Sequence, residues 1–322
     1  MIGGPFGRIR DTVLALAYVV TGACAHVTSV TQPVGLLRSL PVQGGDVQSS
    51  QRFGQLFCTV LAHTSQHGEW GYCDRYFRPT GPAGALPEWS NLGKYRIAVV
   101  PGIFGQCVEA QAMPFEDAIR HLRSEHHVDV EYIAVSGLGS VKYKAGQIAD
   151  YLAKHWGAGQ PQYIAVGYSK GASDLLEAIA SDATARQAIA AVVTVAGTVL
   201  GSRLPEAVPR HLLDFARDTR LGPCDVADGG GLDSLRRPDR VDAMARFQRP
   251  DHFHAYSIAA VSDPETTSRV LSGFWSQLSV FSREQDSQVI HEDALVPGGT
   301  YLGMARADHW AVALPFRSPI RI

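Results

Sequence analysis

The chain alternates between short, nearly continuous apolar runs and longer segments with apolar residues at every third or fourth position. Continuous runs are typical of buried strands, and the wider spacing is typical of amphipathic helices. The predicted strands lie at residues 96–100, 128–135, 163–168, 190–195, 252–261 and 301–306. The predicted helices lie at residues 51–62, 114–124, about 145–152, after 169, and at 264–281. This alternation predicts an α/β fold with a mostly parallel central sheet flanked by helices.

One junction between a strand and a helix has the pattern of a catalytic turn. The apolar run from Tyr163 enters Gly167-Tyr-Ser169-Lys-Gly171, and a helical pattern follows. In such a nucleophile elbow the serine hydroxyl is lifted clear of the sheet, and a Cβ at either glycine would collide with a neighbouring strand or helix. The helix N-terminus would direct its dipole and free N–H groups at negative charge beside the serine. Ser169 is therefore the candidate nucleophile.

A second glycine turn follows the first strand of the predicted sheet. Pro101-Gly102-Ile103-Phe-Gly105 ends the apolar run at 96–100, and its two glycines would allow the backbone to come close to a substrate. An oxyanion hole needs two N–H donors, one following the nucleophile and one from such a turn. The candidate donors are the N–H groups of Ile103 and Lys170.

A serine hydroxyl needs a base, which a carboxylate in turn orients. His309 lies just after the last predicted strand, so the chain order serine, acid, histidine would hold. For the acid we select Asp293, in His291-Glu-Asp-Ala-Leu-Val-Pro, and Asp263 and Asp286 remain open as alternatives.

The remaining charged residues near these motifs are expected at the surface. Charged side chains are seldom fully buried. We therefore predict solvated side chains for Glu292 and Asp308, and also for Lys170 and Asp174 on the helix that follows the elbow.

Residues 201 to about 250 interrupt the alternation of strands and helices. They contain clustered Arg, Asp and Pro and the triple glycine 229–231, and they are too long for a simple turn. We predict a cap inserted over the active site, before the penultimate strand.

Four stretches together resemble the α/β-hydrolase superfamily, and more loosely its bacterial lipases and esterases: 99–105, 167–171, 293–297 and 308–310. The resemblance covers about residues 95 to 315. Two positions depart from it, because Pro101 stands where His is common and Ala294 where Gly is common. It implies cleavage of a small-molecule or lipid carboxylic ester, without a cofactor. The alternatives are a thioesterase or acyltransferase on an envelope component, and a non-catalytic binding module with this fold.

Composition adds limits on the partners. The chain has 322 residues, 45% of them hydrophobic and 19% charged, with a formal net charge of -2. These values are those of an ordinary globular protein, and the lack of a basic block argues against a nucleic-acid partner. The oligomeric state cannot be read from these features.

The N-terminal segment predicts export. Arg8 and Arg10 precede the apolar run 13–25, which is too short to span a bilayer but suits the central region of a signal peptide. Two processing sites are open: cleavage after Ala25, or a lipoprotein-like box that would leave a lipid anchor at Cys24. The expected location is a bacterial periplasm, the cell envelope or the medium.

The cysteines agree with export. Processing would remove or modify Cys24 and leave Cys58, Cys73, Cys107 and Cys224, an even number for an oxidising compartment. We predict a local Cys58–Cys73 bridge, which leaves Cys107 for Cys224. The spacings lack the Cys-x-x-Cys repeats of a zinc site, so no metal is expected. The predicted organisation is a signal at 1–25, a linker and disulfide-tied extension at 26–94, and the hydrolase domain at 95–322.

Overall fold

The structure, a computed structural model, describes residues 47–63, 73, 92–108, 113–207 and 225–314. The predicted signal segment 1–25 and the first part of the linker lie outside these residues. Cys224 lies outside them too, so the Cys107–Cys224 pairing stays a prediction.

Six strands form one sheet in this part of the chain, and every neighbouring pair is parallel. Their order across the sheet is β2-β1-β3-β4-β5-β6. The predicted α/β fold with a parallel central sheet is therefore confirmed. The strands are β1 (Tyr95–Val100), β2 (Val130–Tyr132), β3 (Gln162–Tyr168), β4 (Ile189–Val195), β5 (His254–Val261) and β6 (Thr300–Arg306).

Helices precede, connect and flank the strands. The α-helices are α1 (Val47–His63), α2 (Gly105–Val108), α3 (Glu116–His126), α4 (Val141–His155), α5 (Lys170–Ser181), α6 (Ala183–Ala188), α7 (Leu204–Ala207), α8 (Arg237–Arg246) and α9 (Ser272–Leu278). Short 3-10 helices cover Leu92–Lys94, Asp233–Leu235 and His291–Ala294. No helix among the described residues combines the length and hydropathy needed to cross a membrane.

The main core lies between the sheet and the pair α4 and α5. Ile148 and Leu152 of α4 are fully buried, as are Leu175 of α5 and Ala165 of β3. The spacing of three and four residues predicted this apolar face of α4. Because α5 is covered on nearly all sides, its polar residues Lys170, Ser173 and Asp174 are buried as well.

Two predicted elements are shorter in the structure. The strand predicted at 128–135 is limited to β2, and the helix predicted at 264–281 is limited to α9. The second difference has a local cause, because the Asp263 carboxylate accepts the N–H groups of Glu265 and Thr266 and closes a turn where the helix was expected to start.

The N-terminal helix is longer than predicted and packs against one strand of the sheet. α1 begins at Val47 instead of Gln51 and packs against β6. The predicted disulfide between Cys58, in α1, and Cys73 is present.

The segment between β4 and β5 is described at 201–207 and 225–250. Leu138, in the loop after β2, donates its N–H to the carbonyl of Asp225 and accepts the N–H of Gly231. The Ser140 side chain also donates to the Asp228 carboxylate at 2.6 Å. This insertion precedes the penultimate strand, as predicted, and its role as a cap over the site stays a prediction.

Candidate active site

Ser169 occupies the turn between β3 and α5 in a strained backbone conformation. Its φ is 54° and its ψ is −124°, values that cost a non-glycine residue about 1–3 kcal/mol. Three backbone hydrogen bonds of 3.1 Å hold the turn: Ser169 donates to Val195, and its carbonyl accepts from Ala172 and Thr198. The neighbouring strand and loop thus stabilise a conformation that points the hydroxyl away from the sheet.

The two glycines of the motif are required by close packing. A Cβ on Gly167 would lie 2.7 Å from the backbone Cα of Ala172, and one on Gly171 would lie 2.3 Å from the carbonyl oxygen of Val100. Real Cβ atoms do not approach backbone atoms so closely. The reason predicted for the glycines is therefore confirmed.

Replacing Gly171 with alanine should lower the free energy of unfolding by about 1–3 kcal/mol, because α5 must move away from β1 to admit the methyl group. Urea denaturation monitored by circular dichroism measures the change. Gly146→Ala is the matched control, since a Cβ there meets nothing within 4 Å on helix α4. Equal urea midpoints for Gly171→Ala and the wild type would show that the packing is looser than this structure indicates.

The predicted histidine lies beside the predicted serine. His309 follows β6, and its Nε2 is 2.8 Å from Ser169 Oγ. The Tyr168 hydroxyl donates to the His309 carbonyl at 2.6 Å, and the His309 N–H donates to the Asp286 carbonyl at 2.7 Å. Ser169 (4% exposed) and His309 (1% exposed) are both buried. Hydrogen bonds to the backbone of His309 and to its ring together hold the imidazole in place.

The carboxylate at the other ring nitrogen belongs to Asp286. Its Oδ2 is 2.7 Å from His309 Nδ1, and its Oδ1 accepts the N–H groups of Gln288 and Val289 at 2.9 and 2.8 Å. Two backbone donors therefore hold one oxygen while the other faces the imidazole. This is an acid that the sequence analysis left open as an alternative.

Asp293 was predicted to orient the histidine, but its carboxylate contacts Arg237 and not His309. The Asp293 carboxylate accepts from Arg237 Nε at 2.9 and 3.1 Å. Burial raises the pKa of Asp293 to about 6, against the opposing effect of the Arg237 charge. The other alternative, Asp263, is exposed, and its carboxylate closes the turn before α9 instead of contacting His309.

The two backbone N–H groups predicted to bind the oxyanion lie near the serine. A Cβ on Gly102 would lie 2.9 Å from Ser169 Cβ, so the turn after β1 is in direct contact with the nucleophile. Within the described residues the N–H of Ile103 has no acceptor, whereas the next N–H, of Phe104, donates to Gly137 at 2.9 Å. Lys170 is the first residue of α5, where no helical carbonyl precedes its N–H. The predicted donors are thus placed where they could bind an oxyanion.

The prediction of solvated side chains for Lys170 and Asp174 is wrong. Both are 0% exposed, and Lys170 Nζ is 2.5 Å from Asp174 Oδ1. The buried Lys144 of α4 lies 3.6 Å from the other carboxylate oxygen, and sequence reasoning missed it. The sequence contains a signal for this burial. Lys144 lies three residues after Val141 and four before Ile148, on the apolar face of α4.

Asp308 is also buried, contrary to prediction, whereas Glu292 is exposed as predicted. One Asp308 oxygen accepts the N–H groups of Trp310 and Ala311, and the other accepts the N–H of Ser268 at 2.8 Å. Asp308 therefore shapes the turn that carries His309.

Comparison with solved structures identifies the family of this chain. No family model matches the chain, and a search of curated proteins finds no match. A crystal structure of the metagenomic carboxyl esterase MGS0156 matches with 31% identity and a TM-score of 0.77, over 96% of this chain and 91% of that one. The chain belongs to the carboxyl esterases of the α/β-hydrolase superfamily.

Two more distant solved structures resemble this chain in fold. A lipase of Bacillus licheniformis in its mature form matches at 19% identity with a TM-score of 0.54, over 72% of this chain and 90% of that one. Lipase 1 of Pelosinus fermentans matches at 10% identity with a TM-score of 0.51, over 67% of this chain and 91% of that one. These two matches support the fold alone. The match to the metagenomic carboxyl esterase gives carboxylic ester hydrolysis as the activity class of this protein, which sets aside the alternative of a non-catalytic binding module.

The esterase thus brings together a hydroxyl, an imidazole, a carboxylate and two N–H groups. Within the described ranges, no three His, Cys, Asp or Glu side chains are grouped so that they could hold a metal ion. The chemistry that these groups support is nucleophilic attack with proton transfer to a base.

Proposed function

We propose that this esterase hydrolyses carboxylic esters through a covalent acyl-enzyme, with Ser169 as nucleophile, His309 as base and Asp286 as the orienting acid. One observation carries the proposal: a continuous chain of two short contacts, 2.8 Å from Ser169 Oγ to His309 Nε2 and 2.7 Å from His309 Nδ1 to Asp286 Oδ2. In this geometry the same ring can take a proton from the serine and be held by the carboxylate.

In the first half-reaction, Ser169 Oγ forms a bond to the acyl carbon while His309 Nε2 takes the hydroxyl proton. The bond between the acyl carbon and the alkoxy oxygen then breaks, and His309 returns the proton to the departing alcohol. In the second half, water attacks the acyl carbon while His309 takes its proton, and that proton passes back to Ser169 as the acid leaves. Asp286 stays ionised and stabilises the imidazolium in both halves.

Each attack places a negative charge on the former carbonyl oxygen. The N–H groups of Ile103 and Lys170 are the proposed donors to this oxyanion, and each donor of this kind contributes a factor of about 10²–10³ to kcat. They belong to rigid elements, the turn tied to Gly137 and the start of α5, so they need little reorganisation when the charge develops.

A fluorophosphonate probe followed by mass spectrometry tests this assignment. We expect one adduct, on Ser169, which is lost in His309→Ala because the serine then has no base. His121→Ala, an exposed histidine on α3, is the control and should label like the wild type. A folded, disulfide-intact wild type without an adduct on Ser169 would contradict the proposal.

We also propose that the esterase is exported and acts on small-molecule or lipid esters. The support is the basic and apolar pattern of residues 8–25 and the Cys58–Cys73 disulfide, a bond found mainly in oxidising compartments. The intact mass of protein from the native host distinguishes cleavage after Ala25 from lipidation at Cys24. An unprocessed chain in the cytoplasm would exclude export. Thioester hydrolysis and acyl transfer use the same side chains, and no contact in the described residues favours them.

A further inference from the structure

Three charged side chains lie fully buried directly behind the proposed oxyanion hole. Lys144, Lys170 and Asp174 are each 0% exposed. The Asp174 carboxylate lies between the two ammonium groups, 2.5 Å from Lys170 Nζ and 3.6 Å from Lys144 Nζ. With all three ionised, the cluster has one positive charge in excess. Burying an unbalanced charge is costly, so packing alone does not account for the second lysine.

Lys144 contacts the turn that follows β1, and this contact has no part in the steps of the proposed mechanism. Its Nζ donates to the carbonyl oxygen of Gly102 at 3.3 Å. This carbonyl and the N–H of Ile103 belong to one peptide unit, and in a planar trans peptide they point in opposite directions. A donor that holds the Gly102 oxygen therefore also fixes the direction of the Ile103 N–H, which has no acceptor within the described residues.

Lys170 connects the same cluster to the second donor. Its backbone N–H starts α5 beside Ser169, and its side chain is bonded to Asp174 one turn further along the helix. Asp174 in turn faces Lys144. The cluster therefore ties the two peptide units that would bind the oxyanion to one buried carboxylate.

We infer that Lys144 is a positioning residue for the oxyanion hole, held in place by Asp174: its ammonium orients and polarises the Gly102–Ile103 peptide. This inference rests on the proposed function. A charge-assisted hydrogen bond to a peptide carbonyl is stronger than a neutral one, and it strengthens the donor at the other end of the same peptide. Because that N–H is needed most when the substrate oxygen is an anion, Lys144 acts on the transition state more than on the bound ester.

Asp174 keeps this arrangement charged. Burial lowers the pKa of Lys170 to about 8, while the Asp174 carboxylate opposes the shift. Burial lowers the pKa of Lys144 as well, again against Asp174. The neighbouring Arg240 has its own partner, Glu177, at 3.4 Å. Asp174 is therefore the group that favours the ammonium form of both lysines.

The test is Lys144→Met, with Lys142→Met as the control on the exposed side of the same helix. We expect Lys144→Met to lower kcat by about 10- to 100-fold while KM changes by less than about threefold, because only transition-state binding is lost. The affinity for an alkyl boronic acid, which forms a tetrahedral adduct with the serine, should fall by the same factor as kcat. Lys142→Met should match the wild type in all three quantities.

Unchanged kcat and boronic acid affinity in Lys144→Met would overturn the inference. A higher KM with unchanged kcat would overturn it too, since that result means a contact that binds substrate and transition state equally. Thermal unfolding checks that the variant folds, as expected when one lysine and one aspartate remain as a balanced pair. If it does not fold, Lys144→Gln, a smaller and neutral donor, carries the same test, and wild-type kcat in that variant would overturn the inference.

The wild-type fluorophosphonate adduct separates the two possible failures. A labelled Ser169 together with a fully active Lys144→Met refutes only the role of Lys144. An unlabelled Ser169 in the folded wild type refutes the proposed function on which that role rests.

Discussion

Replacing Ser169 with alanine should lower kcat/KM for carboxylic esters by about 10⁴- to 10⁶-fold, because the proposed acyl-enzyme cannot form without the Ser169 hydroxyl. The fold should persist, since among the described residues the Ser169 hydroxyl forms its hydrogen bond with His309. Hydrolysis of a short-chain chromogenic ester, followed at a fixed concentration of folded protein, measures the loss.

Ser181→Ala is the matched control for this loss. Ser181 ends the same helix α5 and is exposed, so its removal should leave kcat/KM unchanged. If folded Ser169→Ala hydrolysed the ester as fast as Ser181→Ala, the nucleophile would have to be sought elsewhere.

The second large effect distinguishes two buried aspartates. Asp286→Asn should lower kcat by about 10²- to 10⁴-fold, because an amide neither stabilises the imidazolium nor fixes the tautomer that accepts the serine proton. Asp293→Asn should leave kcat within about threefold of the wild type. Its expected cost is in stability, on the order of 1–3 kcal/mol, because Arg237 loses its charged partner.

Initial rates and urea midpoints for the two variants decide between the assignments. From the structure we expect Asp286→Asn to have a low kcat and normal stability, and Asp293→Asn to be active but less stable. The reverse result, with activity lost only at position 293, would restore the sequence-based choice and make the contact between Asp286 and His309 catalytically irrelevant.

The candidate nucleophile could be proposed from the sequence because its signal is local. A strand, a Gly-x-Ser-x-Gly turn and a helix occupy residues 163–176. The two glycines are required because a Cβ on Gly167 would clash with the start of α5, and one on Gly171 would clash with β1. The parallel sheet was equally accessible, since each strand is an apolar run separated from the next by a helical pattern. His309 followed from chain order.

The carboxylate that contacts His309 could not be selected from the sequence in the same way. Asp263, Asp286 and Asp293 all lie between the end of β5 and the start of β6, and each sits in a polar stretch able to form a turn. What separates them is non-local: Asp293 meets Arg237 from the insertion, while Asp286 meets His309 from beyond β6. Residue pattern contains no such distances.

The buried charges failed prediction for a related reason. Helical spacing shows that one face of α5 is apolar, but not that the sheet and two further helices cover its remaining sides. Lys170 and Asp174 therefore looked like surface residues until the packing of α5 was known.

The position of β6 gives the activity a particular vulnerability. β6 lies at the edge of the sheet, pairs with β5 alone among the described strands, and is flanked by α1. Peripheral strands detach at a lower free energy than central ones, so they open while the rest of a protein is still folded. Since the imidazole follows β6 directly, partial opening at this border separates base from nucleophile while β1, β3 and β4 stay intact. We therefore expect turnover in a warmed sample to fall when this border of the sheet frays, before the whole chain denatures.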